Sequence, residues 1–218
     1  MPYSAIIFDL DGTLLDTLAD LAEGMNAVLD SMGLPVHPQA AYRYFVGNGL
    51  RELALRVLPE GRRDEKTAQE CLDAMRIEYD RRWANKTRPF EHIVPLLSAL
   101  QTRGVIMAVL SNKPHEIAVK TIRHFFPAVA FAAVEGDKET RPRKPDPAGA
   151  FEIARKTGIA TDKFIYCGDT NTDMQTAFAA GMTPVGVLWG FRTKEELIKS
   201  GAKIVVKDPL EILNIFKL

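Results

Sequence analysis

The sequence has little of several features that mark particular classes of protein. Its 218 residues include only two cysteines, Cys71 and Cys167, which lie far apart in the chain. We therefore expect two buried thiols and no disulfide framework. The formal net charge is zero, with 28 basic and 28 acidic residues. A protein that binds nucleic acid through its phosphates normally carries a basic surplus, so no nucleic-acid partner is expected.

Long hydrophobic runs are also missing. The longest apolar stretch, Phe125 to Val134, is interrupted by Pro127 and falls well short of the roughly 20 residues that a membrane-spanning helix needs. No basic leader precedes the first charged residue, Asp9, so we predict no secretory signal, no membrane partner and a cytoplasmic location. The composition, 46% hydrophobic and 26% charged, is that of an ordinary globular protein with a sizeable core.

Short apolar runs bounded by Gly, Pro, Asn or Asp recur along the chain and predict buried strands. They are Ala5–Phe8, Val105–Leu110, Val129–Val134, Phe164–Cys167, Val185–Leu188 and Ile204–Val206. Helical patterns link them at Pro114–Phe125, Asp146–Thr157, residues 193–200 and residues 209–217. The alternation predicts an α/β fold with a doubly wound parallel sheet, a Rossmann-like core.

One segment interrupts this alternation. Between Asp16 and about Arg88 no strand pattern is found, whereas helical patterns occur at Leu18–Met32, Leu50–Leu58 and Thr67–Trp83. We therefore predict an all-helical domain, residues 17–88, inserted into a core formed by residues 1–16 and 89–218.

Polar side chains follow the predicted strands or begin the helix that leads to one of them. Each alone has a structural explanation as an Asx turn, a helix cap or a solvated lysine. Because the carboxyl ends of parallel strands lie at one edge of the sheet, where ligands bind, we expect these side chains to lie close together. They are Asp9, Asp11, Ser111, Asn112, Lys144, Asp169 and Asp173.

Such a group of residues suits phosphoryl transfer. Acidic groups that meet at one point need a counter-charge, and oxygen ligands with no cysteine or histidine cluster favour Mg²⁺ over zinc. A divalent ion held by Asp9 and Asp169 would face a phosphate oxygen. Lys144 would neutralise the phosphate from another side, and Ser111 and Asn112 would donate hydrogen bonds to it.

The two aspartates after the first strand divide the chemistry between them. Asp9, directly after the strand, is the natural nucleophile and would form an aspartyl-phosphate. Asp11, on the loop, would protonate the leaving alkoxide and later take a proton from the attacking water. The predicted reaction is hydrolysis in two half-reactions.

Four motifs in this order resemble those of the haloacid dehalogenase superfamily, and within it the phosphoglycolate phosphatase-like branch. The motifs are Asp9–Asp16, Ser111–Lys113, Lys144–Pro147 and Gly168–Asp173. The resemblance implies that Asp9 is the nucleophile and Asp11 the acid and base. It also implies that Mg²⁺ is held by Asp9, by the backbone carbonyl of Asp11 and by Asp169, with Asp173 either a further ligand or a support behind them.

The helical insertion resembles that family's mobile cap of the C1 type, which would close over the site and select the substrate. The glycine-rich turn Gly47-Asn48-Gly49 and the nearby Arg51 are candidates for substrate contact. The two glycines are equally explained as a turn between helices.

These observations favour a Mg²⁺-dependent phosphatase of a small phosphorylated metabolite, with 2-phosphoglycolate as the expected substrate, acting as a monomer or homodimer. The same site chemistry also suits a phosphomutase or phosphotransferase, or a phosphatase of a sugar phosphate, a nucleotide or pyrophosphate. A non-enzymatic phosphate-binding module is the third reading. That reading predicts the loss of a chemical residue, yet Asp9, Asp11, Ser111, Lys144 and Asp169 are all present.

Overall fold

The computed structural model describes residues 2–216. The chain divides into two compact units. One, here called the α/β unit, comprises Met1–Leu15 and Pro89–Leu218, and the other, the helical unit, comprises Asp16–Arg88.

Eight strands are present among the described residues, and six of them form one sheet. In chain order they are Ala5–Phe8 (β1), Leu15–Asp16 (β2), Arg88–Pro89 (β3), Ile106–Pro114 (β4), Ala133–Asp137 (β5), Phe164–Gly168 (β6), Thr183–Val187 (β7) and Ile204–Val206 (β8). The large sheet has the order β5-β4-β1-β6-β7-β8, and all its pairs are parallel. β2 and β3 form a separate two-stranded sheet. The doubly wound α/β prediction is confirmed, and the switch in strand order lies between β1 and β6.

Helices account for most of the remaining regular structure. The α-helices are Leu18–Ser31 (α1), Tyr42–Phe45 (α2), Leu50–Val57 (α3), Glu65–Arg82 (α4), Ile93–Thr102 (α5), His115–Phe125 (α6), Ala148–Thr157 (α7), Asn171–Ala179 (α8) and Lys194–Lys199 (α9). Short 3₁₀ helices lie at Gln39–Ala41, Glu60–Arg62, Thr161–Lys163 and Pro209–Asn214. Over residues 2–216, no helix combines the length and the hydropathy that crossing a membrane requires.

Both faces of the large sheet are covered. Successive side chains of β1 point to opposite faces. Ile6 therefore joins an apolar cluster with Leu96 of α5 and Ile122 of α6, and Ile7 joins a second cluster with Ile153 of α7. Burial on both sides explains why β1 is an uninterrupted apolar run.

The helical unit is organised around α4, which packs against α1 and α3. Asp64 caps α4 by accepting a hydrogen bond from the Thr67 backbone N–H at 3.0 Å. The buried carboxylate of Asp20, on α1, accepts backbone N–H bonds from Lys86 at 3.0 Å and from Thr87 at 2.8 Å. These bonds attach the end of the unit to its first helix.

The strand predicted at Val129–Val134 is wrong in position, because β5 covers Ala133–Asp137. Val129 and Phe131 pack against the apolar cluster from a loop, so their apolar character does not mark a strand. Glu135 continues the strand despite its charge, because cationic neighbours satisfy it in the interior.

The strand predicted at Val105–Leu110 begins one residue later and continues to Pro114. Ser111, Asn112 and Lys113 were expected to follow the strand but form its buried last residues. Pairing of Pro114 with Asp137 of β5 extends the ladder past them.

The predicted helices over residues 114–125, 146–157 and 193–200 are present with starts shifted by one or two residues. The helix predicted over residues 209–217 is a 3₁₀ helix, Pro209–Asn214, and residue 217 lies outside the described residues. Its tighter winding is seen in the bond from the Ile215 N–H to the Ile212 carbonyl, and Ile212 lies in the apolar core. α5 was not predicted; its Pro95 lies in the first turn, where no helical N–H partner is lost.

An ion-pair network fixes the edge strand β5 to α7. Glu135 is 2% exposed, and Lys138 and Arg141 approach its carboxylate at 2.6 and 3.1 Å, with Lys156 of α7 also in contact. Burial by itself would raise the pKa of Glu135, but the hydrogen bonds and charges of Lys138 and Lys156 lower it to about 2. The folded state therefore favours the ionised carboxylate.

We expect Glu135→Gln to lower the free energy of unfolding by about 2 kcal/mol at neutral pH, because it removes the buried carboxylate that Lys138, Arg141 and Lys156 share. The contribution of Glu135 is complete above the ordinary carboxyl pKa of 4.5 and is lost as the pH falls toward 2. Thermal unfolding of variant and wild type should therefore converge on acidification. Glu139→Gln, at an exposed position, is the matched control, and a pH-independent difference would contradict the assignment.

Candidate active site

The site is built on the turn that follows β1. The backbone N–H of Asp9 donates to the Cys167 carbonyl at 2.9 Å, which holds Asp9 against the end of β6. The chain then turns sharply, with the Leu10 carbonyl accepting from the N–H of Leu14 at 3.0 Å. Gly12 has φ 89°, and a Cβ there would lie 2.4 Å from the Asp169 carboxylate. Only glycine fits this position.

Lys144 lies between two buried carboxylates. Its Nζ is 2.9 Å from Oδ1 of Asp9 and 2.6 Å from Oδ1 of Asp173. All three side chains are almost fully buried. The ammonium is thus a shared counter-charge for an acid at the end of β1 and an acid on α8.

Asp169 follows β6 and is held through both of its oxygens. Oδ1 accepts from the hydroxyl of Thr13 at 3.0 Å, and Oδ2 accepts from the backbone N–H of Phe191 at 2.8 Å. The Trp189 indole donates to the Thr13 carbonyl at 2.9 Å. The loop after β7 and the turn after β1 therefore orient this carboxylate together.

The Asp173 carboxylate binds both the N-terminus of α8 and the Lys144 ammonium. It completes the capping box at the start of α8, where its Oδ2 accepts from the backbone N–H of Thr170 at 3.0 Å and from the Thr170 hydroxyl at 2.7 Å. Its Oδ1 accepts from Lys144. A Cβ at Gly168 would lie 2.3 Å from the Asp173 side chain, so the strand end must be glycine for this carboxylate to approach.

Ser111 and Asn112 close the site on the β4 side. The Asn112 amide binds both backbone groups of Lys144, donating to its carbonyl at 3.1 Å and accepting from its N–H at 3.0 Å. The Ser111 hydroxyl accepts from the Lys113 N–H at 3.2 Å. Asn112 therefore positions the backbone of Lys144. The contacts of Ser111 and Asn112 with a phosphate stay predictions.

Asp11 stands apart from the three clustered carboxylates. Its two oxygens accept from the Nζ of Lys113 at 2.8 and 3.0 Å. The acids whose side chains come together are Asp9, Asp169 and Asp173, each offering an oxygen within 4.8 Å of the others. The structure therefore brings Asp9, Asp169 and Asp173 together and pairs Asp11 with Lys113.

Burial and the closeness of like charges raise the pKa values of two acids in the cluster. Burial raises the pKa of Asp9 to about 7, the neighbouring Asp173 adds to the effect, and Lys144 opposes it. Burial also raises the pKa of Asp169 well above its usual value, again reinforced by Asp173. For Lys144, burial alone would lower the pKa, but Asp173 and Asp9 hold it well above its usual value.

The residues fit a hard divalent cation. The donor set consists of carboxylate oxygens, the ligands that Mg²⁺ prefers. One ammonium faces three buried carboxylates, so a further positive charge would relieve the repulsion between them. The glycine backbones of Gly12 and Gly190 surround Asp169 so tightly that a Cβ on either would collide with it.

The helical unit carries the candidate turn Gly47-Asn48-Gly49 and the candidate Arg51. Gly47 and Gly49 have positive φ angles of 120° and 88°, and Gly49 is the N-cap of α3. The Asn48 side-chain oxygen accepts from Arg56 at 3.0 Å. Arg51 forms an ion pair with Glu65 at 2.7 Å. Their contact with a substrate stays a prediction.

Several residues that shape the site were not among the predicted ones. They are Thr13, Lys113, Trp189, Gly190 and Phe191. Thr13 and Lys113 lie inside two of the motifs, so a signal for them was present. The other three lie in the loop after β7. Phe191 binds Asp169 through its backbone N–H, so the type of its side chain does not indicate this contact.

Comparison with known proteins agrees with this architecture. A family model described as haloacid dehalogenase-like hydrolase matches residues 6–187. The phosphoglycolate phosphatase of Mannheimia succiniciproducens is 29% identical over 220 residues, covering 98% of each chain. The phosphoglycolate phosphatase of Escherichia coli K12 is 27% identical over 227 residues, covering 95% of this chain and 90% of its own.

A solved structure is also similar. A candidate phosphoglycolate phosphatase from Lactobacillus delbrueckii subsp. bulgaricus has a TM-score of 0.93 at 30% identity, over 99% of this chain and 98% of that chain. The likeness extends over the whole length, including both units.

We expect Gly190→Ala to displace Asp169, because the added Cβ would lie 2.2 Å from the Asp169 Cβ and 2.4 Å from the Gly12 carbonyl oxygen. We expect added Mg²⁺ to raise the melting temperature of the wild type, and this rise should shrink or vanish in the variant. Gly61→Ala is the control, since its Cβ would meet nothing within 4 Å. An undiminished Mg²⁺ response in Gly190→Ala would show that this contact does not position the carboxylate.

Proposed function

Because the chain belongs to the haloacid dehalogenase-like hydrolases and is a phosphoric monoester hydrolase, we propose that it uses Mg²⁺ and a phosphorylated Asp9 to hydrolyse 2-phosphoglycolate. The observation that carries the proposal is the placement of Asp9 at the end of β1 with the Lys144 ammonium 2.9 Å away. A nucleophile and a phosphate-binding cation are thus side by side.

Asp9 is the nucleophile in this proposal. Its carboxylate lies at the carboxyl edge of the sheet, at the switch in strand order where ligands of such folds bind, and it is only 5% exposed. A carboxylate oxygen in such a site attacks phosphorus with little competition from water.

The phosphoryl group would be held by residues from two neighbouring elements. Lys144 supplies positive charge and is itself positioned by Asn112. The hydroxyl of Ser111, at the buried end of β4, is a donor for a phosphoryl oxygen. Charge neutralisation and fixed donors are the main protein contributions to phosphoryl transfer.

Asp9 and Asp169, together with the Asp11 backbone carbonyl, would hold Mg²⁺, while Asp173 would hold the Lys144 ammonium from α8. When bound, the cation neutralises the clustered carboxylates and binds an oxygen of the phosphoryl group. The hydrogen bonds from Thr13 and Phe191 would keep Asp169 oriented for it.

The proton balance assigns Asp11 to both half-reactions. In the first, an oxygen of Asp9 bonds to phosphorus, the bond from phosphorus to the leaving oxygen breaks, and Asp11 gives that oxygen a proton. In the second, Asp11 takes a proton from water, the water oxygen bonds to phosphorus, and the Asp9 carboxylate is released with inorganic phosphate.

The substrate is the most specific part of the proposal. Relatives at 27 to 29% identity over nearly the whole chain carry the name phosphoglycolate phosphatase, and this supports 2-phosphoglycolate. Selection of the substrate by the helical unit is part of the same proposal. The cytoplasmic location and the monomeric or homodimeric state stay predictions.

The first test is phosphate release from 2-phosphoglycolate, sugar phosphates, nucleotides and pyrophosphate, with Mg²⁺ or with a chelator. We expect Mg²⁺-dependent turnover with 2-phosphoglycolate preferred, since the carboxylate cluster needs a cation to bind a phosphate. Preference for another phosphorylated compound would change the proposed substrate and leave the proposed site unchanged. Phosphate binding without turnover on every ester would contradict the mechanism.

Asp9→Asn tests the nucleophile. The nearly isosteric amide cannot form the phosphoryl intermediate, so turnover should fall about 10³-fold or more. The fold should persist, because the change removes one of three crowded carboxylates. Circular dichroism and thermal unfolding are the controls, and near-normal activity in a folded Asp9→Asn variant would exclude Asp9 as the nucleophile.

A further inference from the structure

Asp11 has a buried cation of its own. The Lys113 Nζ donates to both carboxylate oxygens of Asp11, at 2.8 and 3.0 Å. The two side chains are 4% and 15% exposed. A contact to both oxygens restrains the rotation of the carboxylate, which a single hydrogen bond does not.

The backbone that carries Lys113 has little freedom to move. The residue lies in β4, and its N–H donates to the Ser111 hydroxyl at 3.2 Å. Gly136 of β5 packs so closely that a Cβ there would lie 2.6 Å from the Lys113 carbonyl oxygen. The lysine therefore extends from a fixed point on the sheet.

Asp11, by contrast, lies on the turn that follows β1. The turn is closed by the Gly12 N–H, which donates to the Leu15 carbonyl at 2.9 Å, but the Asp11 side chain extends from it. An acid and base that serves two proton transfers must keep its oxygens near the reacting atoms in both.

We propose that Lys113 is a positioning residue that acts through Asp11, orienting its carboxylate for both proton transfers. The inference rests on the proposed function, in which Asp11 is the acid and base. The two lysines of the site differ in their partners: Lys144 forms ion pairs with Asp9 and Asp173, and Lys113 forms an ion pair with Asp11.

A double-mutant cycle of Lys113→Met and Asp11→Asn tests this, with an alkyl phosphate and 4-nitrophenyl phosphate as substrates. An alkoxide is a poor leaving group that needs a proton, whereas 4-nitrophenolate is a good one. We expect Lys113→Met to lower kcat on the alkyl phosphate about 10- to 100-fold, with a smaller loss on 4-nitrophenyl phosphate and little change in KM. In the Asp11→Asn background it should have no further effect.

Lys113→Gln keeps a hydrogen-bond donor for Asp11 and serves if Lys113→Met does not fold. Its loss on the alkyl phosphate should be smaller than that of Lys113→Met, with the same dependence on the leaving group. Lys163→Met is the control, because Lys163 is exposed and pairs with Asp162 at 3.7 Å. It should leave both rates unchanged.

Results of three kinds would overturn the proposal. A rise in KM with kcat unchanged, or an undiminished loss in the Asp11→Asn background, would mean that Lys113 contacts the substrate directly. Equal losses on both esters in the Lys113 variants alone would mean a structural role. If Asp11→Asn itself lost activity equally on both esters, the acid role of Asp11 would fall, and this failure of the proposed function is distinct from the other two.

Discussion

The carboxylates of Asp9, Asp169 and Asp173 offer oxygens within 4.8 Å of one another in the interior, and the surrounding structure has to compensate for this crowding of negative charge. Lys144 supplies a positive charge to two of them, while Thr13 and the Phe191 backbone supply hydrogen bonds to the third. The compensation is incomplete: burial and the neighbouring Asp173 still raise the pKa values of Asp9 and Asp169. The remaining imbalance is what makes the cluster suited to a cation and a phosphate.

The parallel sheet makes this crowding possible. β1 lies between β4 and β6, so the chain segments that leave these three strands start side by side at one edge. Glycines at Gly12, Gly168 and Gly190 let the segments approach until a Cβ would no longer fit. Apolar clusters on both faces hold the strands in register. The stability of the sheet thus supports a charge arrangement that costs free energy by itself.

Much of the fold could be predicted from the sequence, because strand burial and helix periodicity leave local patterns. The apolar run Ala5–Phe8 is β1 as predicted. The position of β5 was missed, because Glu135 is buried through ion pairs that come from residues later in the chain. The length of β4 was missed for a related reason: Ser111 and Asn112 are polar, but Asn112 is satisfied by the backbone of Lys144, which is distant in the sequence, and Ser111 binds the N–H of Lys113 in the same strand. Patterns of hydrophobicity report burial only where burial is apolar.

The sequence by itself determined the residue types at the strand ends, and with them the chemistry of the site. The spacing of Asp9 and Asp11, and the motifs containing Lys144 and Asp169, were readable without a structure. Only the tertiary structure decided which acid meets which cation: Lys144 between Asp9 and Asp173, and Lys113 on Asp11. The physical reason is that an ion pair depends on distances of a few ångströms between atoms distant in the chain, and only the packing of the sheet sets those distances.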